Sequence, residues 1–409
     1  MTDKFLPHQI ETSDKALGIL RQRGVCLIAG LPRTGKTATA IRVAELSKAG
    51  NVLVVTKKAA LEGWADEFQR IGVGQGKITK DYAIVNYEQV KNLGDATFDL
   101  VIVDESHTIG RAGKPTQRLK DLRAKTRGKP VLLLTGTPAS ETHLSYYYQF
   151  ALSDLTPLKY KNFYDFFRAW GVPNLVRLNG RLQETYKKCK PEIVDFLRPY
   201  IVTLSQEQAG IKHQASDKLH VVPLSASTKQ LISTLQEDKV VEIAGQLRAF
   251  ESEIAERLAV HQIEYGAVLL NDEVVDLPNS EVIDYLYNTF GDTEGLGLMC
   301  HFRSTRQKLE KHFKRASIYS SNAHAEGVNL SHLDNFVIVN SDYSGAKFIQ
   351  RRERITNIMR DTAAVVHHIV TDGGISKAVY DTLKGKRDFT LQLYRKHRNV
   401  GTSTTKENS

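Results

Sequence analysis

Eight residues constrain this chain more than any others. Gly30 to Thr37 read G-L-P-R-T-G-K-T, which satisfies G-x-x-x-x-G-K-[ST]. The run before them, Val25-Cys26-Leu27-Ile28-Ala29, is apolar and of strand type. The run after them, Ala38 to Ala49, is built from good helix formers, with apolar residues at Ala40, Ile41, Ala44 and Leu46. A chance Gly-rich turn needs neither neighbour. A phosphate-binding loop needs both, because its N–H groups open a helix that follows a buried strand. Gly30 and Gly35 let the backbone curl so that those N–H groups face phosphate oxygens. Pro32, Arg33 and Thr34 fill the loop. Lys36 supplies a point charge for the β- and γ-phosphates, and Thr37 offers a hydroxyl to Mg2+. The expected ligands are therefore ATP and Mg2+.

Further apolar runs recur downstream, at Asn51 to Thr56, Tyr82 to Tyr87, Phe98 to Val103 and Val131 to Leu134. Helical stretches separate them, the first of these stretches preceding the loop and ending near Leu20. Such alternation predicts a parallel α/β domain. Ligands of parallel sheets sit at the C-terminal ends of strands. The fourth run ends in Asp104-Glu105-Ser106-His107. Two adjacent carboxylates at a buried strand end are costly unless they meet a cation. Asp104 is expected to hold Mg2+, and Glu105 to orient and deprotonate an attacking water. The fifth runs into Thr135-Gly136-Thr137-Pro138, whose hydroxyls could sense the nucleotide. Gln9 carries an amide able to read the adenine edge, though a surface Gln at a helix start has the same look. Lys57 and Lys58, after the second strand, are candidates for a nucleic-acid backbone or for plain solvation.

This ordered set resembles superfamily-two helicases and translocases. It comprises Gln9, A-G-L-P-R-T-G-K-T at Ala29 to Thr37, D-E-S-H at Asp104 to His107 and T-G-T-P at Thr135 to Pro138. Leu6-Pro7-His8-Gln9, Asn86-Tyr87-Glu88 and L-T-G-T-P-A-S at Leu134 to Ser140 look most like the compact, phage-type Swi/Snf-like DNA translocases. The resemblance implies an α/β fold of two RecA-like parallel-sheet domains in tandem. The expected boundaries are residues 1–140 for the ATP-binding domain, 141–215 for a helical basic and aromatic insertion with linker, 216–385 for the second domain and 386–409 for a tail. His107, Thr135 and Thr137 take coupling roles on the same basis.

The second half carries the resemblance more weakly. G-V-N-L at Gly327 to Leu330 resembles the motif that couples nucleotide to nucleic acid, giving Gly327 and Asn329 that role. Ile349-Gln350-Arg351-Arg352-Glu353-Arg354-Ile355 resembles the arginine-finger motif, with Gln350 as a coupling residue. The family pattern is Gln, Arg four later and Arg three after that. Counted from Gln350, the first finger is Arg354, but Asn357 stands at the second position, where Arg360 or Arg351 would have to substitute. Counted to use Arg351 and Arg354, the Gln position holds Lys347. The first register puts Tyr343 where the family has Trp, and is preferred. Such fingers contribute roughly a thousandfold or more in rate.

Residues 141–215 crowd Tyr146, Tyr147, Tyr148, Tyr160, Phe163, Tyr164, Phe166, Phe167 and Trp170 among lysines and arginines. That composition fits strand contact by charge and stacking; a helical subdomain with an aromatic core fits it better. Leu197 to Ile201 is expected to start the return to the second core.

Charge points the same way as the motifs. Lys+Arg number 56 against Asp+Glu 46, a formal +10, which favours polyanionic partners. No apolar run is long enough to span a membrane and no secretory h-region opens the chain. Cys26, Cys189 and Cys300 form no C-x-x-C pair, so neither a disulfide framework nor a zinc site is expected. The resulting expectation is a monomeric, cytoplasmic, ATP-dependent helicase or translocase on duplex or branched DNA, in a bacterial host if phage-encoded. An RNA helicase and a nucleotide-gated DNA clamp with little hydrolysis are the alternatives.

Overall fold

The computed structural model describes residues 4–31, 33–72, 80–109, 113, 115–139, 142–178, 181–186, 188–210, 215–243, 245–321, 330, 333–352, 365–385, 388–391, 393–395 and 397. The chain divides into two compact units, residues 1–212 and 213–409. Both are α/β, and each is built on a parallel sheet.

Unit 1 runs α1 (Pro7–Arg23), β1 (Val25–Gly30), α2 (Lys36–Leu46), β2 (Asn51–Thr56), α3 (Leu61–Ile71), β3 (Asp81–Asn86), β4 (Leu100–Val103), α4 (Gln117–Thr126) and β5 (Val131–Thr135). It continues through α5 (Tyr146–Phe150), α6 (Phe163–Trp170), the hairpin β6 (Leu175–Leu178) and β7 (Arg181–Glu184), α7 (Glu192–Leu197) and β8 (Ile201–Leu204). The sheet order is β3-β2-β4-β5-β1-β8, and every pairing is parallel.

The strands are nearly continuous apolar runs because both faces of the sheet are covered. Alternation then divides each strand between two cores. Cys26, Ile28, Val54, Ile102 and Leu132 pack with Ile41, Trp64 and Phe68 on one face. Val25, Leu27, Val101, Val103, Val131 and Leu133 pack on the other, with the aromatic residues of α5 and α6. Val131 pairs with Val25 on one side and Val101 on the other, so β5 lies between the strand that feeds the Gly-rich loop and the strand that ends in Asp104-Glu105.

Of two expectations about residues 141–215, the favoured aromatic core holds and the other changes. The aromatics are core: Tyr147 stacks on Phe166 at 4.9 Å and Tyr148 on Phe163 at 5.7 Å, and Phe166 is fully buried. The stretch after Leu197 is no return to the second core. Ile201–Leu204 instead pairs with Leu27 to Gly30 as the edge strand of the first sheet.

Unit 2 runs β9 (Ser216–Val222), α8 (Ala226–Asp238), β10 (Val240–Ile243), β11 (Gln246–Ala249), α9 (Glu253–Ile263), β12 (Ala267–Leu270), β13 (Glu273–Asp276), α10 (Glu281–Phe290) and β14 (Leu296–Cys300). Then come α11 (Arg303–His312), β15 (Ser317–Ser320), β16 (Asn335–Ile338), α12 (Gly345–Arg352), β17 (Val365–Thr371) and α13 (Ser376–Lys384). Its parallel sheet has the order β15-β14-β16-β17-β9. Helices α8 and α9 are separated by the hairpin β10–β11. A second hairpin, β12–β13, turns at Asn271 and Asp272, both with positive φ, the turn chemistry that hairpins favour. His367 and His368 lie within β17, where His367 Nδ1 meets His220 Nε2 at 2.8 Å and His368 Nε2 meets Asp217 at 3.0 Å.

Candidate functional site

In unit 1 the loops after β1, β4 and β5 leave the same edge of one parallel sheet. The loop after β1 is shaped by backbone conformation. Gly35 has φ +76, and a Cβ there would lie 2.2 Å from Gln9 Nε2, so no other residue fits without displacing Gln9. A Cβ on Gly30 would lie 2.9 Å from both Lys36 Cγ and Thr34 Oγ. Arg33 takes a left-handed conformation, φ +66, unusual outside glycine. Thr34 is buried, and its hydroxyl donates to Leu31 O at 2.8 Å. Lys36 folds back over the loop, with Nζ donating to Gly30 O at 2.7 Å and Leu31 O at 3.1 Å. Gly35, as N-cap of α2, offers no side-chain acceptor to the first-turn N–H groups, while Thr39 N closes onto Gly35 O at 3.0 Å. Thr37 is the second residue of α2 and half-buried.

Helix α1 braces this loop. Gln9 is buried and its Oε1 accepts from Leu6 N at 3.0 Å, which fixes the amide against Gly35. His8 Nε2 lies 3.1 Å from Thr34 O. Arg42, on α2, donates to Asp14 Oδ1 at 2.6 Å and Ile10 O at 3.3 Å, locking α2 to α1.

The acidic pair sits at the end of β4. Asp104 Oδ2 accepts from Thr56 Oγ at 2.8 Å and from Trp64 Nε1 at 3.0 Å, and Oδ1 accepts from Glu105 N at 2.9 Å. The Tyr87 hydroxyl donates to Asp104 O. Burial and the neighbouring Glu105 carboxylate push the Asp104 carboxyl above its ordinary value; Trp64, Thr56 and the Lys36 charge pull against them. Glu105 goes the other way. Burial raises it, but the adjacent His107, together with Lys36 and Lys57, holds it well below the usual carboxylate range. Its backbone is left-handed, φ +49, a strained conformation of the kind that clusters at functional sites. Lys57 thus acts on Glu105, while Lys58 begins an exposed single turn of 3-10 helix, Lys58–Ala60.

The loop after β5 joins the other two. His107 Nδ1 lies 3.2 Å from Glu105 Oε2 and 2.9 Å from Thr135 Oγ. Thr135 Oγ also accepts from Thr137 N at 3.0 Å. The Thr137 hydroxyl oxygen is buried and has no hydrogen-bond partner among the described residues, an arrangement that asks for an occupant.

The structure therefore brings Gln9, Gly30, Thr34, Gly35, Lys36, Thr37, Asp104, Glu105, His107, Thr135 and Thr137 to one sheet edge. Arg351 belongs to the other unit. It is fully buried in unit 2, bidentate to Asp342 at 3.0 and 2.8 Å. Pro32, Gly327, Asn329 and Arg354 lie outside the described residues, as does the side chain of Gln350.

Sequence reasoning missed Thr56, Trp64 and His8. No local signal marked them: only the folded register, with Val55 paired to Val103, puts Thr56 beside Asp104. The chain matches no protein-family model, and no curated protein matches it. Among the described residues, no helix is long and apolar enough to cross a membrane.

Proposed function

We propose that the chain is an ATP-dependent DNA helicase or translocase of the superfamily-two type, with RecA-like cores. One observation carries the ATPase half of this reading: three strand-end loops, Gly30–Thr37, Asp104–His107 and Thr135–Pro138, meet at one sheet edge and are tied by charge and hydrogen bonds. Polyphosphate is the ligand this edge fits. It combines a left-handed glycine at a helix start, a lysine held over the loop and uncapped first-turn N–H groups.

Mg2+ is usually held by one or two carboxylates plus phosphates rather than by an all-protein cage, and Thr37 and Asp104 are the residues that would hold it. When bound, it supplies charge neutralisation across the β- and γ-phosphate oxygens. Thr56 and Trp64 fix the rotamer of Asp104. Lys36 exchanges its loop carbonyls for phosphate oxygens. Glu105 is ionised at neutral pH, so its oxygens only accept; it orients the water that attacks the γ-phosphorus. Gln9, positioned by Leu6 N, offers its amide to the base. Arg354 is proposed to neutralise the transferred phosphoryl group.

The DNA half rests on the motif resemblance and the +10 charge. It predicts sequence-tolerant, salt-sensitive binding. The test is steady-state ATP hydrolysis without nucleic acid and with single-stranded DNA, duplex DNA, a forked junction or RNA, at low and high salt. Stimulation by duplex or branched DNA supports the translocase. Stimulation by RNA alone moves the chain to the RNA helicases. ATP binding with no stimulated turnover leaves the nucleotide-gated clamp, which Asn357 at a finger position would favour.

A further inference from the structure

Gln149 lies on α5, outside every motif of the site, yet its amide touches two of the three loops. It is 1% exposed. Its Oε1 accepts from Ser106 Oγ at 2.8 Å, and its Nε2 donates to Pro138 O at 2.7 Å and Ser145 O at 3.3 Å. The orientation is chemically fixed. Two carbonyls can only accept, so the NH2 must face them, which leaves the amide oxygen for the Ser106 hydroxyl. Ser106 is fully buried and follows Glu105, whose backbone is strained. Gln149 therefore clamps the loop after β4 to the loop after β5 from beneath.

The same short helix is rooted in the aromatic core. Tyr147 and Tyr148 immediately precede Gln149 and stack on Phe166 and Phe163 of α6. At the end of α6, Trp170 donates from Nε1 to Tyr160 at 2.8 Å and packs 5.4 Å from Phe196. A shift of the Glu105–Ser106 turn has a hydrogen-bonded route through Gln149 into α5, and a packed aromatic route from there into α6. Close-packed interiors transmit such shifts rather than absorb them.

We infer that Gln149 is a positioning residue that couples the nucleotide state of the acidic loop to the α5–α6 aromatic subdomain. The inference rests on the ATPase reading above and extends it to a region no motif covers.

The chain's two tryptophans make the test direct. Trp64 donates to Asp104, at the site; Trp170 sits in the subdomain. Full-length protein is labelled with 5-fluorotryptophan, the two 19F resonances are assigned with single Trp→Phe variants, and the Mg2+ complex of a non-hydrolysable ATP analogue is titrated in. The wild type should shift both resonances. Gln149→Leu, and separately Ser106→Ala in case the first variant folds poorly, should keep the Trp64 shift and lose the Trp170 shift. The ratio of DNA-stimulated to basal hydrolysis should fall about fivefold or more in both variants, within the usual range of coupling between sites.

A Trp170 shift that survives Gln149→Leu overturns the inference. So does a wild type in which Trp64 responds and Trp170 does not, a result that leaves the nucleotide reading standing. No Trp64 response at saturating nucleotide defeats the ATPase reading itself, and the inference with it.

Discussion

Arg351 separates two jobs that a basic motif can do, and the separation is measurable. In a finger role the guanidinium would meet phosphate. In the structure it is fully buried, and both terminal nitrogens are taken by Asp342. Deleting one partner of a buried pair strands the other charge and costs about 3–5 kcal/mol. Lys347 Nζ lies 3.4 Å from Asp342 Oδ2 and is half exposed, so it offers partial compensation and favours the lower half of that range. Unit 2 spans residues 213–409. For a unit of that size each kcal/mol moves Tm by roughly 2–4 °C, so Arg351→Ala, at about 3–4 kcal/mol, should lower the unit 2 transition by roughly 6–16 °C. Arg351→Lys should not rescue, because an ammonium cannot reproduce a bidentate fork. The double variant Arg351→Met with Asp342→Leu should recover most of the loss, since an apolar pair avoids the desolvation that the ion pair has to offset. The pH sign follows from Asp342. Burial raises its carboxyl, but the charge and hydrogen bonds of Arg351 hold it below its ordinary value of 3.8. The pair's contribution is thus complete above 3.8 and disappears as pH falls through the lower folded value. Calorimetry at pH 7 and pH 3 reads both effects. An Arg351→Ala protein that melts within about 2 °C of wild type while turnover collapses would refute this account and return Arg351 to the finger role.

Four further outcomes are expected. Lys36→Ala should abolish nucleotide-dependent activity, and retained DNA-stimulated hydrolysis would refute the phosphate-loop assignment. Glu105→Gln should bind ATP normally while turnover drops about 100-fold or more, measured by single-turnover hydrolysis beside equilibrium binding; wild-type turnover would remove Glu105 from the chemistry. Gly35→Ala should cost about 1–2 kcal/mol in backbone strain and push Gln9 out of place, so fluorescent-nucleotide affinity should fall with it; unchanged affinity would mean that the loop tolerates another shape. Burial pushes the Cys26 thiol up, the Cys300 thiol to about 12 and the Cys189 thiol to about 11. A disulfide reagent at pH 7.5 should therefore label the folded protein slowly and the denatured protein at all three positions. Rapid labelling of Cys26 in the native state would show that β1 opens.

What was legible in the sequence shares one property: its reason is local. Gly35 is demanded by its own φ, and Asp104-Glu105 stand out because carboxylates end a run of buried valines. The run Val25 to Ala29 marks itself as a buried strand by its own apolar composition, and the structure divides Val25 and Leu27 from Cys26 and Ile28 between two cores. What was not legible depends on partners far along the chain. Ile201–Leu204 is a four-residue strand with no local mark of the sheet it joins, and its register with Leu27, some 174 positions earlier, is set only when unit 1 folds around its own core. Arg351 reads as one more cation in a basic run, and only tertiary burial shows that it is held by Asp342. Asn271 and Asp272 did carry a local turn signal, since both residue types tolerate a left-handed backbone, but the stretch was given no assignment.

The same distinction orders the site. The residues proposed to touch phosphate or water come from motifs, because their chemistry fixes their type. Those that position them, Thr56 and Trp64 on Asp104 and Gln149 on Ser106, are separated from their partners by 40 to 48 positions. At such separations no periodicity or spacing rule reaches, and the residue type is free: any donor with the right reach could hold Asp104. That freedom is why no motif names these residues. It also makes them the positions where chains bearing such loops can differ while keeping the same reacting groups. A change at Trp64 or Gln149 should therefore alter how tightly nucleotide state is transmitted more than whether nucleotide binds.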